Sequence, residues 1–195
     1  CVAYYKDEEA LPYLISLQSL GLCYNRLGNY HECKAVNRLG TAEAIKLKHR
    51  ETIPRFLYSD GVNNYFLKNY FVAKEQLQQS LPHLIAQKDF ANVSVANFYL
   101  AKTLWALRRF DAAVPYLVAV DRTFAEKDYI RPDLRETYEM LIGHYKASGD
   151  VGKLLYYVDR LLLADEFLKK NHKNLSERLR KEYDTKELLA LKQEI

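Results

Sequence analysis

Glycine and proline are scarce in this sequence, which has 7 glycines and 5 prolines in 195 residues. An all-β sandwich or barrel needs many tight turns of the kind these residues supply, so the composition argues against both folds. No run of eighteen apolar residues occurs, and no transmembrane helix is predicted within the sequence. The 3 cysteines fit no metal-ligand spacing and leave the redox compartment open. We expect Cys23 and Cys33 to be small buried side chains.

An excess of charge of one sign is also missing. The formal net charge is only +4, and the signs are well mixed as far as residue 169, so nucleic-acid contact is not expected. The 5 histidines share no helical face at ligand spacing, and no P-loop, zinc-protease or hydrolase motif is present. We therefore predict no catalytic residue, no metal site and no cofactor, and a protein that is not an enzyme.

A repeat is the main positive feature of the sequence. Residues Tyr30, Tyr70, Phe110 and Val151 follow one another at intervals of 40, 40 and 41 residues. Three residues after each comes a small or apolar residue, namely Cys33, Ala73, Ala113 and Leu154. A fixed period of this length is typical of stacked helical hairpins, since one hairpin alone cannot bury its apolar face. The sequence therefore predicts about four such hairpins.

The hairpins resemble tetratricopeptide (TPR) repeats, which have a small residue at the eighth position and a large one at the eleventh. The eighth positions are Gly21, Gly61, Ala101 and Ile142. The eleventh positions are Tyr24, Asn64, Leu104 and Tyr145. The first and third units fit this pattern well, and the second and fourth fit it partly. The resemblance covers residues 6 to about 168 and implies an all-α, right-handed solenoid of antiparallel helix hairpins followed by a long C-terminal helix.

Helix signals fix the expected boundaries. The predicted helices span residues 9–27, 30–48, 53–67, 70–87, 91–107, 110–125, 133–147 and 151–169. Pro54 and Pro132 fall in first helical turns, where a missing N–H is tolerated. Pro82 and Pro115 fall inside predicted helices, and we expect them to kink or shorten these helices.

The predicted domain organisation has two parts. Residues 1–170 form the TPR-like domain, in which residues 1–5 are the tail of a truncated earlier repeat. Residues 171–195 form a capping or linker helix that leads out of the domain. Since the sequence has neither an initiating Met nor a signal peptide, we expect it to be part of a longer protein.

The C-terminal segment resembles the helix that follows the repeats in certain bacterial TPR regulators. The matching residues are Lys181, Glu182, Tyr183, Asp184, Thr185 and Lys186. This resemblance implies a following membrane span with a signalling or DNA-binding output, so that membrane anchoring comes only from parts outside this sequence. The domain would then lie on the periplasmic side of the membrane, and otherwise in the cytoplasm. The basic cluster from Lys169 to Lys181 argues against the periplasmic alternative.

The TPR resemblance also implies a ligand-binding concave face, lined by the first helix of each hairpin. The candidate groove residues are Gln18, Asn25, Arg26, Arg55, Tyr58, Tyr65, Phe66, Phe98, Lys102 and Trp105. Aromatic walls with a few cations suit an extended peptide or a ligand that bears a carboxylate. We expect Tyr58 and Trp105 to be exposed, whereas Phe66 and Phe98 could equally pack between helices. The family's carboxylate clamp is absent, because the ninth positions are Leu22, Val62 and Gly143.

Two functions therefore remain open. One is a protein- or peptide-binding TPR domain, the sensory or interaction part of a bacterial signal-transduction or transcription regulator. The alternative is a structural scaffold or oligomerisation module, with a homodimer formed through the C-terminal helix. An enzymatic activity would have to reside in a domain outside this sequence.

Overall fold

The structure is a computed structural model that describes the backbone of residues 9–182 and the side chains as far as residue 176. The described residues form eight α-helices and no β-strand. We number them α1 to α8: Ala10–Arg26, Tyr30–Lys46, Ile53–Phe66, Tyr70–Ala86, Phe90–Ala106, Phe110–Lys127, Glu136–Ser148 and Val151–Glu182. Short 3-10 turns, Arg50–Thr52 and Pro132–Arg135, precede α3 and α7.

The helices form hairpins in two compact units, the first ending at Tyr129 and the second beginning at Ile130. In the first unit α1 to α6 make three hairpins, and each helix packs against the next one in the chain. In the second unit α7 packs against α8 to make the fourth hairpin. The prediction of an all-α helical-repeat solenoid is therefore confirmed.

Most predicted helix boundaries agree with the structure to within about three residues, and the two internal prolines lie inside their helices as predicted. Helix α4 runs through Pro82 to Ala86, and α6 runs through Pro115 to Lys127. Neither Pro82 nor Pro115 therefore shortens its helix, and the alternative expectation of a kink stays a prediction. Pro54, as predicted, lies in the first turn of its helix.

Small residues bring the helices into close contact. Ala73 and Ala113 are fully buried near the starts of α4 and α6. A Cβ added at Gly61 would lie 2.7 Å from Leu77 Cγ, so α3 and α4 could not approach as closely with any larger residue. Cys33 is buried as predicted, but Cys23 is exposed, and the expectation for Cys23 is wrong.

The fourth repeat has a different register from the one predicted. Leu141 is fully buried, as are the residues at intervals of 40 before it, whereas Ile142 is only half-buried. The turn between α7 and α8 has the usual length, since the Asp150 N–H donates to the Tyr145 oxygen just as the Asn29 N–H donates to the Tyr24 oxygen. The extra residue of this repeat therefore lies before the turn, in the part of α7 that follows Leu141. The eighth position of this unit belongs to Leu141, a large residue where the other three units have a small one.

The 40-residue period divides into two halves of 20 residues. Each described turn between helices contains one residue with a positive φ, and these residues are Gly28, Lys48, Lys68, Lys88, Arg108, Asp128 and Gly149. A left-handed residue of this kind ends a helix and turns the chain back. Glycine adopts this conformation without strain, yet four of the seven turns use a basic residue, which interacts favourably with the helix C-terminus.

Helix α8 is one continuous helix from Val151 to Glu182. The predicted division at residue 170 falls inside it and stays a prediction. Six residues carry the resemblance to bacterial regulators. Lys181 and Glu182 lie in α8, and residues 183–186 lie outside the described residues. The predicted tail of an earlier repeat, residues 1–5, also lies outside them.

Candidate functional site

The accessible part of the candidate groove is a surface on α3 and α5 in the first unit. Phe66 is exposed, and Tyr65, Lys102 and Trp105 are half-buried. Arg55, also on α3, is half-buried, and Arg26 is exposed at the end of α1. We call the surface formed by Tyr65, Phe66, Lys102 and Trp105 the aromatic surface.

Four of the ten candidate residues lie in the interior. Gln18 and Asn25 are 4% and 6% exposed, and Tyr58 and Phe98 are each 1% exposed. The expectation that Tyr58 is exposed is wrong, because helices stacked on both sides of α3 leave little of it open to solvent. These four side chains lie beneath the surface, where they can support it, and they are not available to touch a ligand directly.

Two rings of the aromatic surface, Tyr65 and Phe66, belong to a continuous cluster of rings from several helices, whereas Trp105 meets Phe110 edge-on at 4.9 Å. The ring of Phe66 stacks on Tyr30 at 5.7 Å and meets Tyr99 at 5.5 Å. Tyr65 meets Phe66 edge-on at 5.3 Å and Tyr99 at 5.4 Å. In each pair, one ring limits the movement of the other. The exposed face of Phe66 is therefore held in place before any ligand binds.

Sequence reasoning missed two members of this cluster, Tyr30 and Tyr99. Tyr30 was recognised only as the first residue of a second helix, and Tyr99 lies next to Phe98 on a helix whose middle is buried. The abundance of tyrosine, 16 residues, was the available signal that rings would meet between helices. The pairing itself depends on how the hairpins stack.

Two of the candidate cations, Lys102 and Arg55, are already engaged. Lys102 Nζ lies 5.5 Å from the centre of the Tyr65 ring and 5.4 Å from that of Phe98, which is a cation–π arrangement. Arg55 Nη1 lies 3.1 Å from Asp89 Oδ2, at the start of α5. Arg55 therefore links two hairpins, and this ion pair already offsets its positive charge.

Buried amides fix the base of the cluster. Asn25 Nδ2 donates to Asn63 Oδ1 at 3.0 Å, and Asn63 Nδ2 donates to the backbone oxygen of Tyr30 at 3.0 Å. Both Asn side chains are buried, so the pair joins α1 to α3 and also holds the start of α2. The position of the Tyr30 ring against Phe66 therefore depends on buried hydrogen bonds between the first two hairpins.

Two titratable side chains where α2 meets α3, Cys33 and Asp60, have raised pKa values. Burial raises the pKa of the Cys33 thiol to about 11, so this cysteine is not a reactive thiolate at neutral pH. Burial also raises the pKa of Asp60, and the hydrogen bond that Asn37 donates to this carboxylate offsets the increase only in part. Among the described residues no group of three or more His, Cys, Asp or Glu side chains is arranged to hold a metal ion. Within the same residues no helix combines the length and apolar character needed to span a membrane.

The fold and this surface define a class, that of helical-repeat proteins with a TPR-like arrangement, which commonly mediate protein–protein interaction. No family model matches the chain, and no curated protein matches it. Among solved structures, the chain is similar to one from Podosopora anserina, assigned as a kinesin light chain and described as having nearly identical TPR-like repeats. That match has a TM-score of 0.54 and 17% sequence identity, and it covers 87% of this chain and 83% of the other.

A substituted form of the same Podosopora anserina protein matches with a TM-score of 0.56 and 17% identity, over 88% of this chain and 84% of that one. At this level of identity the likeness concerns the fold alone. It agrees with the hairpins and the helical repeat described above and supports the TPR-like fold.

Proposed function

We propose that this protein binds a protein or peptide segment through the aromatic surface formed by Tyr65, Phe66, Lys102 and Trp105. The observation that carries this proposal is the ring cluster around Phe66, whose 37% exposed side chain is held by Tyr30, Tyr65 and Tyr99. Exposed rings that lose little conformational freedom on binding are typical of interaction hot spots. A ligand with apolar side chains and an extended backbone fits this surface.

Peptide selection tests the proposal directly. A random peptide library would be selected against the full chain, and the selected peptides titrated while the fluorescence of Trp105 is followed, since the sequence has 1 tryptophan. Phe66→Ser should weaken binding by roughly tenfold or more, because the central ring is lost. Phe71→Ser is the matched control, since Phe71 is 75% exposed on α4, outside the aromatic surface. Equal loss in both variants, or none in Phe66→Ser, would contradict the proposal.

We also propose that the domain is the sensory or interaction part of a bacterial signalling or transcription regulator. The support is the resemblance of Lys181 to Lys186 to the segment after the repeats in such regulators, together with the continuous helix α8. In the complete protein, Asn171→Pro would interrupt α8 at an exposed position. Loss of the ligand-dependent output with unchanged peptide binding is expected. A ligand-dependent output that survives this change would overturn the regulatory proposal.

A scaffold or homodimer remains the second candidate function, because α8 has an apolar stripe open to solvent. Val151, Leu155 and Leu162 are 61%, 59% and 58% exposed and recur at intervals that place them on one side of the helix. The solution mass of the chain with and without residues 171–195, and of a Leu155→Ser/Leu162→Ser variant, tests this candidate. A dimer that the double substitution dissociates supports it, and a monomer at all concentrations excludes it.

A further inference from the structure

We infer a second docking site, at the edge of the first unit, that takes an apolar side chain flanked by carboxylates on a partner peptide. The site is the pocket lined by Ile85, Lys88, Phe90, Val93 and Lys127, which we call the lysine pocket. It lies where α4 ends, α5 begins and α6 ends. None of its residues belongs to the aromatic surface, so this inference goes beyond the function proposed above.

The walls of the lysine pocket are apolar and exposed. Ile85 is 56% exposed and Phe90 44% exposed, although both are large hydrophobic side chains at a turn. The Phe90 ring is supported edge-on by Tyr129, with the ring centres 5.4 Å apart. The pocket volume of about 370 Å³ is at the lower end for ligand sites. This volume suits one large side chain, such as Leu or Phe, rather than a whole cofactor.

The lining of the pocket carries positive charge, and we call the part formed by Lys88 and Lys127 its mouth. Two of its five lining residues, Lys88 and Lys127, bear ammonium groups, and no lining residue in the described part of the chain bears a carboxylate. The neighbouring acid Asp89 is occupied by Arg55 and by the backbone N–H of Asn92. Glu126 and Asp128 adjoin Lys127 in sequence but do not line the pocket. A partner that places a carboxylate at this mouth complements the two ammonium groups.

The combination of an apolar recess and a cationic mouth selects among ligands. A simple anion would leave Ile85, Phe90 and Val93 uncovered, and an uncharged apolar group would leave both ammonium groups without a partner. A membrane surface is the less suitable alternative, because recognition of anionic lipids requires a cluster of about four to eight basic residues. An acidic peptide with one embedded apolar residue satisfies both parts of the pocket.

The preceding repeat shows that the charge pattern is particular to this position. Ile45 and Ile53 precede Ile85 and Val93 by 40 residues and line a recess of about 410 Å³. There the polar lining includes Arg38 and Asp60, which carry opposite charges. The repeat therefore supplies an apolar recess in two successive units. Of these two recesses, the lysine pocket has lysines as its charged lining residues and no carboxylate, whereas the other has charges of both signs.

The backbone conformation of Lys88 allows a glycine substitution that removes the side chain without straining the turn. Lys88 has a φ of 56°, in the left-handed region that glycine adopts more readily. Lys88→Gly therefore removes the ammonium group without adding backbone strain, and Lys68→Gly loses the same favourable charge at a helix C-terminus. Lys68→Gly is the matched control, because Lys68 has a φ of 62° in a turn within a hairpin, away from the pocket.

The test uses the full chain labelled with nitrogen-15 and the peptide acetyl-Glu-Glu-Leu-Glu-Glu-amide, titrated by NMR. We expect saturable shifts of the amides of Lys88, Phe90 and Val93. Substituting glycine for the leucine, or lysines for the glutamates, should abolish these shifts. Lys88→Gly and Ile85→Ser should each weaken binding by roughly tenfold. Lys68→Gly and Ile45→Ser should leave binding unchanged, as should Phe66→Ser, which separates this site from the aromatic surface.

Several outcomes would overturn the inference. Absence of shifts at the pocket at millimolar peptide would do so, as would equal weakening by Lys88→Gly and Lys68→Gly. Binding to vesicles of equal parts phosphatidylcholine and phosphatidylserine without binding to the peptide would assign the pocket to a membrane surface instead. Shifts confined to the amides of the aromatic surface would assign the peptide to that surface and remove the second site.

Discussion

Glycine at position 61 is a packing residue, as its place in the repeat pattern indicates. A Cβ at this position would meet Leu77 Cγ at 2.7 Å and the Leu77 backbone nitrogen at 3.2 Å. The backbone atom cannot move aside without shifting α4. The gain in helix propensity from alanine is therefore outweighed by overpacking.

We predict that Gly61→Ala lowers the free energy of unfolding by roughly 1–2 kcal/mol. Gly143→Ala is the control, because Gly143 lies in a helix and a Cβ there would meet nothing within 4 Å. It should raise stability by about 0.5–1 kcal/mol. Urea unfolding of each variant gives both values, and a stable Gly61→Ala protein would show that α3 and α4 can separate without cost.

The two described cysteines should differ sharply in reactivity. Cys23 is exposed, whereas Cys33 is fully buried and its pKa is raised to about 11 by burial. With iodoacetamide near pH 8, we expect Cys23 to be alkylated in the folded protein and Cys33 only after unfolding. Mass spectrometry of the digested protein distinguishes the two. Alkylation of both at the same rate without denaturant would mean that α2 opens readily.

At the scale of helices, the amide pair between α1 and α3 is one of the interactions that join the first two hairpins. Replacing Asn25 or Asn63 by Ala leaves a buried amide partner without its hydrogen bond, and each change should cost about 1–3 kcal/mol. In a double-mutant cycle the two changes should be coupled by about 1 kcal/mol. Gln79→Ala, which removes an exposed hydrogen bond to Glu75, serves as the control and should have little effect. Strict additivity of the two Asn changes would contradict the pairing.

Asp60, on α3, should make stability depend on pH. Burial raises its pKa, partly offset by the hydrogen bond from Asn37 and by the charges of Lys34 and Arg38. Since the folded state favours the protonated form, the stabilising contribution is complete below the ordinary pKa of about 3.9. It is lost as the pH rises through the raised folded value.

Asp60→Asn removes this titration while keeping an oxygen that can accept from Asn37. The variant should therefore gain stability relative to the unmodified protein as the pH rises from about 3.5 to 7. Urea unfolding at several pH values measures the difference. A difference that does not change with pH would show that Asp60 titrates in the folded protein as it does in the unfolded chain.

At the scale of the whole molecule, the first unit has its own stacked core and is expected to fold alone. A chain of residues 1–129 should keep its helical circular dichroism per residue and unfold cooperatively, because in solenoids each repeat contacts only its neighbours. A chain of residues 1–109 is the comparison. It lacks α6, so the face of α5 that packs against α6 is uncovered, and we expect it to be markedly less stable. A disordered 1–129 chain would contradict the independence of the unit.

The sequence predicted the repeat more accurately than it predicted the surface. Leu-Gly, Leu-Lys and Leu-Arg pairs at residues 27–28, 47–48, 67–68 and 107–108 mark four turns at intervals of 20, 20 and 40, and these pairs were an available signal for the half-repeat. The groove residues were harder to place. Tyr58 and Phe66 occupy the same helix and are both aromatic, yet one is 1% and the other 37% exposed. No local feature of the sequence separates them.

The number, length and order of the helices were determined by the sequence itself, because helix periodicity, turn residues and the need for small residues at close approach act between near neighbours in the chain. Tertiary structure alone decided which rings face solvent, which amides pair across hairpins and which pocket Lys88 and Lys127 line together. These features join residues about 33 to 39 positions apart. They depend on how one hairpin lies on the next, since stacking covers one side of a helix and leaves another side free to bind.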